Sequence, residues 1–114
     1  MSEEIVKKFL CICERGNSRS VCLAWMLKDH LGQDAIAMGI KAAKPATQKM
    51  LMDWADFILL CDKTFEDLIP KKYKKKLHIF DVGPDRYFRG FEEDLIRQYA
   101  DYFNQTTFNI GDKK

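Results

Sequence analysis

The 114-residue sequence predicts a single α/β domain built as a three-layer sandwich. Its expected centre is a four-stranded parallel sheet in the order 2-1-3-4, with helices on both faces. Three observations point there. Short apolar runs of strand length recur along the chain, separated by segments with helical spacing. Strands that alternate with helices pair in parallel through crossover connections. The chain is long enough for one hydrophobic core.

The elements follow in order. Residues 8–13 (KFLCIC) are short, apolar and bounded by charge, which reads as a buried strand. Residues 18–31 follow as a helix. Val21, Leu23, Ala24, Met26, Leu27 and Leu31 give it a broad apolar face, and Gly32 is a natural stop. Residues 34–38 (DAIAM) are a weaker second strand, ended by Gly39. Pro45 opens a helix through about residue 55, since proline suits a first turn.

Residues 56–61 (DFILLC) are a third strand, again buried. Thr64, with an acid three residues on, starts a brief helix that ends near Pro70. Residues 77–82 (LHIFDV) are the fourth strand, and 83–85 a loop. Residues 91–103 form the last helix, with Phe91, Leu95, Tyr99 and Tyr102 or Phe103 on one side. The tail is expected to fray from about residue 104. No internal repeat or linker divides residues 1–114. This pattern is flavodoxin-like, and such sheets bind ligands at the carboxyl ends of their strands. Cys13, Cys61 and Asp85 all fall at or just beyond such ends.

Composition narrows the function classes. Apolar residues make up 46% and charged ones 32%, which fits a soluble globular chain and not a disordered one. A net charge of +2 is too small to argue for nucleic acid by itself. No apolar run approaches the roughly 18 residues of a membrane span, and no signal-peptide pattern follows Met1. The expected location is cytoplasmic, with no membrane partner. Lys71-Lys72-Tyr73-Lys74-Lys75-Lys76 is the strongest charge cluster. It reads first as a solvated helix end and loop. The sharper reading is a footprint for RNA or an acidic phosphoprotein.

The four cysteines fit reduced thiols better than disulfides or a metal site. Cys11 and Cys13 alternate in a strand and are read as facing opposite sides. There is no Cys-x-x-Cys pair, and His30 and His78 are the only histidines, so no metal is expected. Cys11, Cys22 and Cys61 read as small core residues.

The segment Cys13-Glu14-Arg15-Gly16-Asn17-Ser18-Arg19-Ser20 carries the chemistry. A loop between a strand end and a helix start points backbone N–H groups inward and binds an anion. The same field favours the thiolate form of a cysteine at its centre. Arg19 has the planar fork that grips two phosphate oxygens. Ser20 is placed to donate its hydroxyl to the sulfur, as nucleophile and later as leaving group. The loop lacks the glycine spacing and Lys-Ser/Thr pair of a nucleotide-binding loop. Glu14, Arg15, Gly16, Asn17, Ser18, Arg19 and Ser20 are therefore the expected phosphate-binding residues.

Cys13-x5-Arg19-Ser20 after a first strand resembles the signature loop of the low-molecular-weight protein tyrosine phosphatases. Trp54-Ala55-Asp56-Phe57-Ile58-Leu59-Leu60-Cys61-Asp62 is similar to that family's third-strand region. Pro84-Asp85-Arg86-Tyr87-Phe88 resembles its late Asp-Pro-Tyr segment, and Phe91-Glu92-Glu93 the start of its last helix. The resemblance implies attack by Cys13 on phosphorus, oxyanion stabilisation by Arg19 and the loop amides, and Asp85 as general acid and then base. It implies no cofactor, and a phosphorylated protein or small phosphomonoester as partner. Tyr87 and Phe88 would line the slot for an aryl phosphate. Asp81 competes with Asp85 as the acid.

Three departures from the family are visible. Gly16 and Asn17 stand one position later than its usual glycine and asparagine. Ser18 replaces its second loop cysteine. The chain is shorter, mainly ahead of Pro45, so the substrate-shaping loops are trimmed. Two alternatives stay open: an inactive phosphate-binding interaction module, and an arsenate reductase-like thiol enzyme. No cysteine pair follows the loop to support the second.

Overall fold

A computed structural model describes residues 6–16, 18–83, 93–106 and 108. The order is β1 (Lys8–Cys13), α1 (Arg19–Asp29), β2 (Asp34–Gly39), α2 (Pro45–Trp54), β3 (Phe57–Leu60), 3-10 helices Lys63–Leu68 and Lys71–Lys76, β4 (Leu77–Ile79) and α3 (Glu93–Gln105). The strands form one parallel sheet in the order β2-β1-β3-β4, as the alternation of elements predicts.

Strand periodicity sorts the core into two clusters, one per face. Phe9, Cys11, Cys13, Leu59, Cys61, Phe80 and Val82 meet α1 and α3 through Leu23, Leu27, Leu95 and Tyr99. Leu10, Ile12, Ile58 and Leu60 meet α2 and the 3-10 helices through Met52, Ile69 and Tyr73. Helices therefore cover both faces, giving the flavodoxin-like three-layer sandwich. From Phe9 on, β1 is apolar like β3, because both of their faces are buried.

Several expectations need correction. Cys11 and Cys13 do not face opposite sides: residues two apart in a strand share a face, and both lie in the α1–α3 cluster. α1 stops at Asp29, so Leu31 is 48% exposed and not part of the apolar face. β4 ends at Ile79, although the Phe80 and Val82 amides still donate to the Leu60 and Cys61 carbonyls at 2.8 and 3.0 Å. Asp81 therefore lies past the strand. Lys71–Lys76 is a second 3-10 helix, because Tyr73 is pulled into the core. α3 runs through Gln105, beyond the expected start of fraying, and the Phe108 ring packs on Phe9, Phe57 and His78.

Candidate active site

The loop after β1 is held in shape by the backbone next to it. The Ile40 amide donates to the Cys13 carbonyl at 2.8 Å, and the Lys41 amide to the Glu14 carbonyl at 2.9 Å. In a planar trans peptide the N–H points opposite to the C=O. The amides of Glu14 and Arg15 are thus turned away from the β2 end. Gly16 makes the bend with φ of +75°, where a Cβ would sit 2.5 Å from the Gly39 nitrogen. A Cβ on Gly39 would in turn collide with the Arg15 backbone. Two backbones meet here with no room for any side chain between them.

That bend returns the chain to its own cysteine. The Gly16 amide donates to Cys13 Sγ at 3.1 Å, and Ser20 Oγ lies 3.1 Å from the same sulfur. With the sulfur as thiolate, Ser20 becomes a second donor. Cys13 is 1% exposed at the end of a central strand, and α1 begins six residues later at Arg19. The sulfur therefore lies near the positive end of a helix, between two donors.

Arg19 is fully buried, and residues from two other strand ends hold it. Its Nη1 donates to Asp62 Oδ2 at 3.1 Å and to the Gly83 carbonyl at 2.6 Å. Asp62 also accepts from the Thr64 amide at 3.0 Å and the Thr64 hydroxyl at 2.7 Å. Burial pushes the Asp62 pKa up, but the bonds from Thr64 and Arg19 outweigh it and hold the carboxyl below its usual range. Asp62 is thus the counter-ion of Arg19 at neutral pH. Tyr99 on α3 donates to the Arg19 carbonyl at 2.9 Å.

The structure brings the Gly16 amide and the Ser20 hydroxyl to the Cys13 sulfur, with Ser18 buried at the helix start and the Arg19 guanidinium turned to Asp62 and the Gly83 carbonyl. Glu14 is half-buried and Arg15 exposed. Asn17, Asp85, Tyr87 and Phe88 lie outside the described residues. Asp81, the rival acid, is a turn residue. Its Oδ1 accepts from the Lys63 and Gly83 amides, both at 3.2 Å, and Tyr102 donates to its carbonyl at 2.7 Å. Asp81 thereby fixes Gly83, which fixes Arg19.

Sequence reasoning missed Gly39, Asp62 and Tyr99 as supports of the loop. The one local signal was Asp62 directly after a strand and two residues before Thr64, a helix-capping pattern.

The remaining cysteines are buried thiols. Burial pushes Cys22 up to about 11 and drives Cys11 and Cys61 well above the ordinary thiol range. Among the described residues, no group of three or more His, Cys, Asp or Glu side chains could hold a metal ion. No described helix is long and apolar enough to cross a membrane.

The lysine cluster lies elsewhere. Lys76 Nζ caps the Ala55 carbonyl at 2.6 Å, just ahead of β3, and Lys74 Nζ binds the Glu66 carbonyl at 2.8 Å. In a parallel sheet the start of β3 and the end of β1 are opposite edges. Lys76 is thus at the edge away from Cys13.

Comparisons with protein-family models, curated proteins and solved structures find no match to this chain. The functional reading accordingly rests on the chemistry of the loop.

Proposed function

We propose that this protein is a metal-independent cysteine phosphatase, as its resemblance to the low-molecular-weight tyrosine phosphatases implies. One observation carries the reading. Cys13 Sγ lies 3.1 Å from both Ser20 Oγ and the Gly16 amide, at a strand end that leads into a helix whose first residue is a buried arginine. On this reading Cys13 is the nucleophile, the Ser20 hydroxyl and the Gly16 amide stabilise its sulfur, and the loop amides and Arg19 would meet the oxyanions.

In the first step Cys13 attacks phosphorus and the bond to the leaving oxygen breaks. Asp85 gives that oxygen its proton. In the second, Asp85 takes a proton from water, which attacks the phosphocysteine. The sulfur leaves with Ser20 donating to it. Asp85 takes its role from the resemblance alone. The substrate is protein phosphotyrosine or a small aryl phosphate.

The test is hydrolysis of para-nitrophenyl phosphate with chelator and reductant present. Wild type should turn over, and Cys13→Ser should lose about a thousandfold or more while keeping its far-UV spectrum. Normal turnover in Cys13→Ser would end the cysteine mechanism. Phosphate binding without turnover would instead assign an anion-binding module. Thiol-dependent formation of arsenite from arsenate would assign the reductase alternative.

A further inference from the structure

All four cysteines of the chain are buried free thiols of one core cluster, and the proposed mechanism uses only one of them. The sheet register singles out a partner for it. Ile12 pairs with Leu60 across β1 and β3, and the Cys61 amide donates to the Ile12 carbonyl at 2.8 Å. β3 ends at Leu60, and the same register carried one residue further sets Cys61 beside Cys13. Both side chains lie on the α1–α3 face.

Neighbouring strands run about 4.8 Å apart. A disulfide accepts Cα separations of about 4.4–6.8 Å. Cys11 is two residues back on the same strand as Cys13, and Cys22 is on α1, so neither is directly across from it.

We propose that Cys61 is the resolving partner of Cys13, and that a hydroperoxide converts the pair into a reversible Cys13–Cys61 disulfide. The proposal deepens the phosphatase reading and rests on it for the reactivity of Cys13. The Cys13 thiolate attacks one peroxide oxygen, and the O–O bond breaks. Sulfur is oxidised to a sulfenic acid, and the peroxide is reduced to an alcohol or water after taking a proton. The Cys61 sulfur then attacks the Cys13 sulfur and the S–O bond breaks. The hydroxyl leaves with the Cys61 proton as water, and the disulfide remains. A dithiol reductant restores both thiols. While the disulfide stands, the nucleophile is blocked and shielded from irreversible oxidation to sulfinic acid.

The experiment treats the wild-type chain with hydrogen peroxide, blocks the remaining thiols under denaturing conditions and maps tryptic peptides by mass spectrometry. Cys11 and Cys13 share the peptide 9–15, Cys22 lies in 20–28 and Cys61 in 50–63. The expected product links 9–15 to 50–63 and leaves two of the four thiols titratable. Cys11→Ala should keep the link, and Cys13→Ala should lose it. Peroxide should take Cys61→Ala to a sulfinic acid at Cys13 that dithiothreitol does not reverse, whereas wild type recovers fully.

A link from 9–15 to 20–28 instead, a link surviving in Cys13→Ala, or sulfinic acid in wild type with no link would each overturn the proposal. The wild-type map needs no variant to fold and no turnover. A link in a chain inactive on aryl phosphate supports the disulfide and sinks the phosphatase. An active chain with no link does the reverse.

Discussion

Asp62 shows how much one side chain carries at this site. It is 6% exposed and gives the fully buried Arg19 its counter-charge, while Thr64 fixes its orientation. Removing one partner of a buried pair leaves the other charge without compensation, which costs about 3–5 kcal/mol. Asp62→Ala should therefore unfold at markedly lower urea. Phosphate bound in the loop would supply the missing negative charge to Arg19. Inorganic phosphate should then raise the urea midpoint of Asp62→Ala more than that of wild type. Equal gains would mean that Arg19 does not address the bound anion. Gly16 and Gly39 act through the space they leave empty, since a methyl on either would push the loop off the β2 backbone.

At the scale of elements, the loop is shaped from three directions. The end of β2 takes its carbonyls, the segment after β4 takes Arg19, and α3 takes the first turn of α1. α3 does this with two phenols, Tyr99 on the Arg19 carbonyl and Tyr102 on the Asp81 carbonyl. Tyr99→Phe keeps the ring in the core and deletes only the hydroxyl. It should cost about 1 kcal/mol in urea unfolding, the net worth of one buried hydrogen bond. An unchanged midpoint would show that this bond adds nothing to stability. The second 3-10 helix plays a different part. Tyr73 buries its ring and donates to Asp53 at 2.5 Å, while Lys72 and Lys76 lie over the ring face. Lys76 caps the Ala55 carbonyl at the end of the sheet away from the loop.

The whole molecule has a polarity set by its parallel sheet. Every strand ends on the side of the loop, so β1, β3 and β4 deliver Cys13, Asp62 and Gly83 to one rim. Its response to pH follows from groups spread over both faces. Burial among Phe57 and Phe108 lowers the His78 pKa. Bonds from Lys49 and Tyr73 lower Asp53 to about 2, and Asp62 is lowered as well. In each case the unfolded chain binds the proton more readily, so stability is lost as pH falls. The loss should begin below about pH 6.5, where an unfolded histidine titrates. It should resume below about pH 4, where unfolded aspartates do. Urea midpoints at pH 7.5, 5 and 3 should step down twice, and His78→Phe should remove the first step. A flat midpoint between pH 7.5 and 5 would contradict the role of His78.

The alternation of apolar runs with helical segments determined the α/β class, because burial on both faces writes itself into each strand locally. The Cys13-to-Ser20 segment determined where the Cys13 sulfur, its serine and its arginine stand, because all three belong to one turn of chain. Strand ends were less legible: whether Asp81 sits in a ladder or a turn depends on what pairs with it, and Lys63 and Gly83 are 18 and two residues away. Only the tertiary structure decided what lies behind Arg19 and beside Cys13. The pairing of Arg19 with Asp62 spans 43 residues, and that of Tyr99 with Arg19 spans 80. The register that carries Cys61 towards Cys13 exists only once β1 and β3 align in parallel. Such contacts leave no periodic trace in the sequence, because each side chain fits its own element equally well without the other.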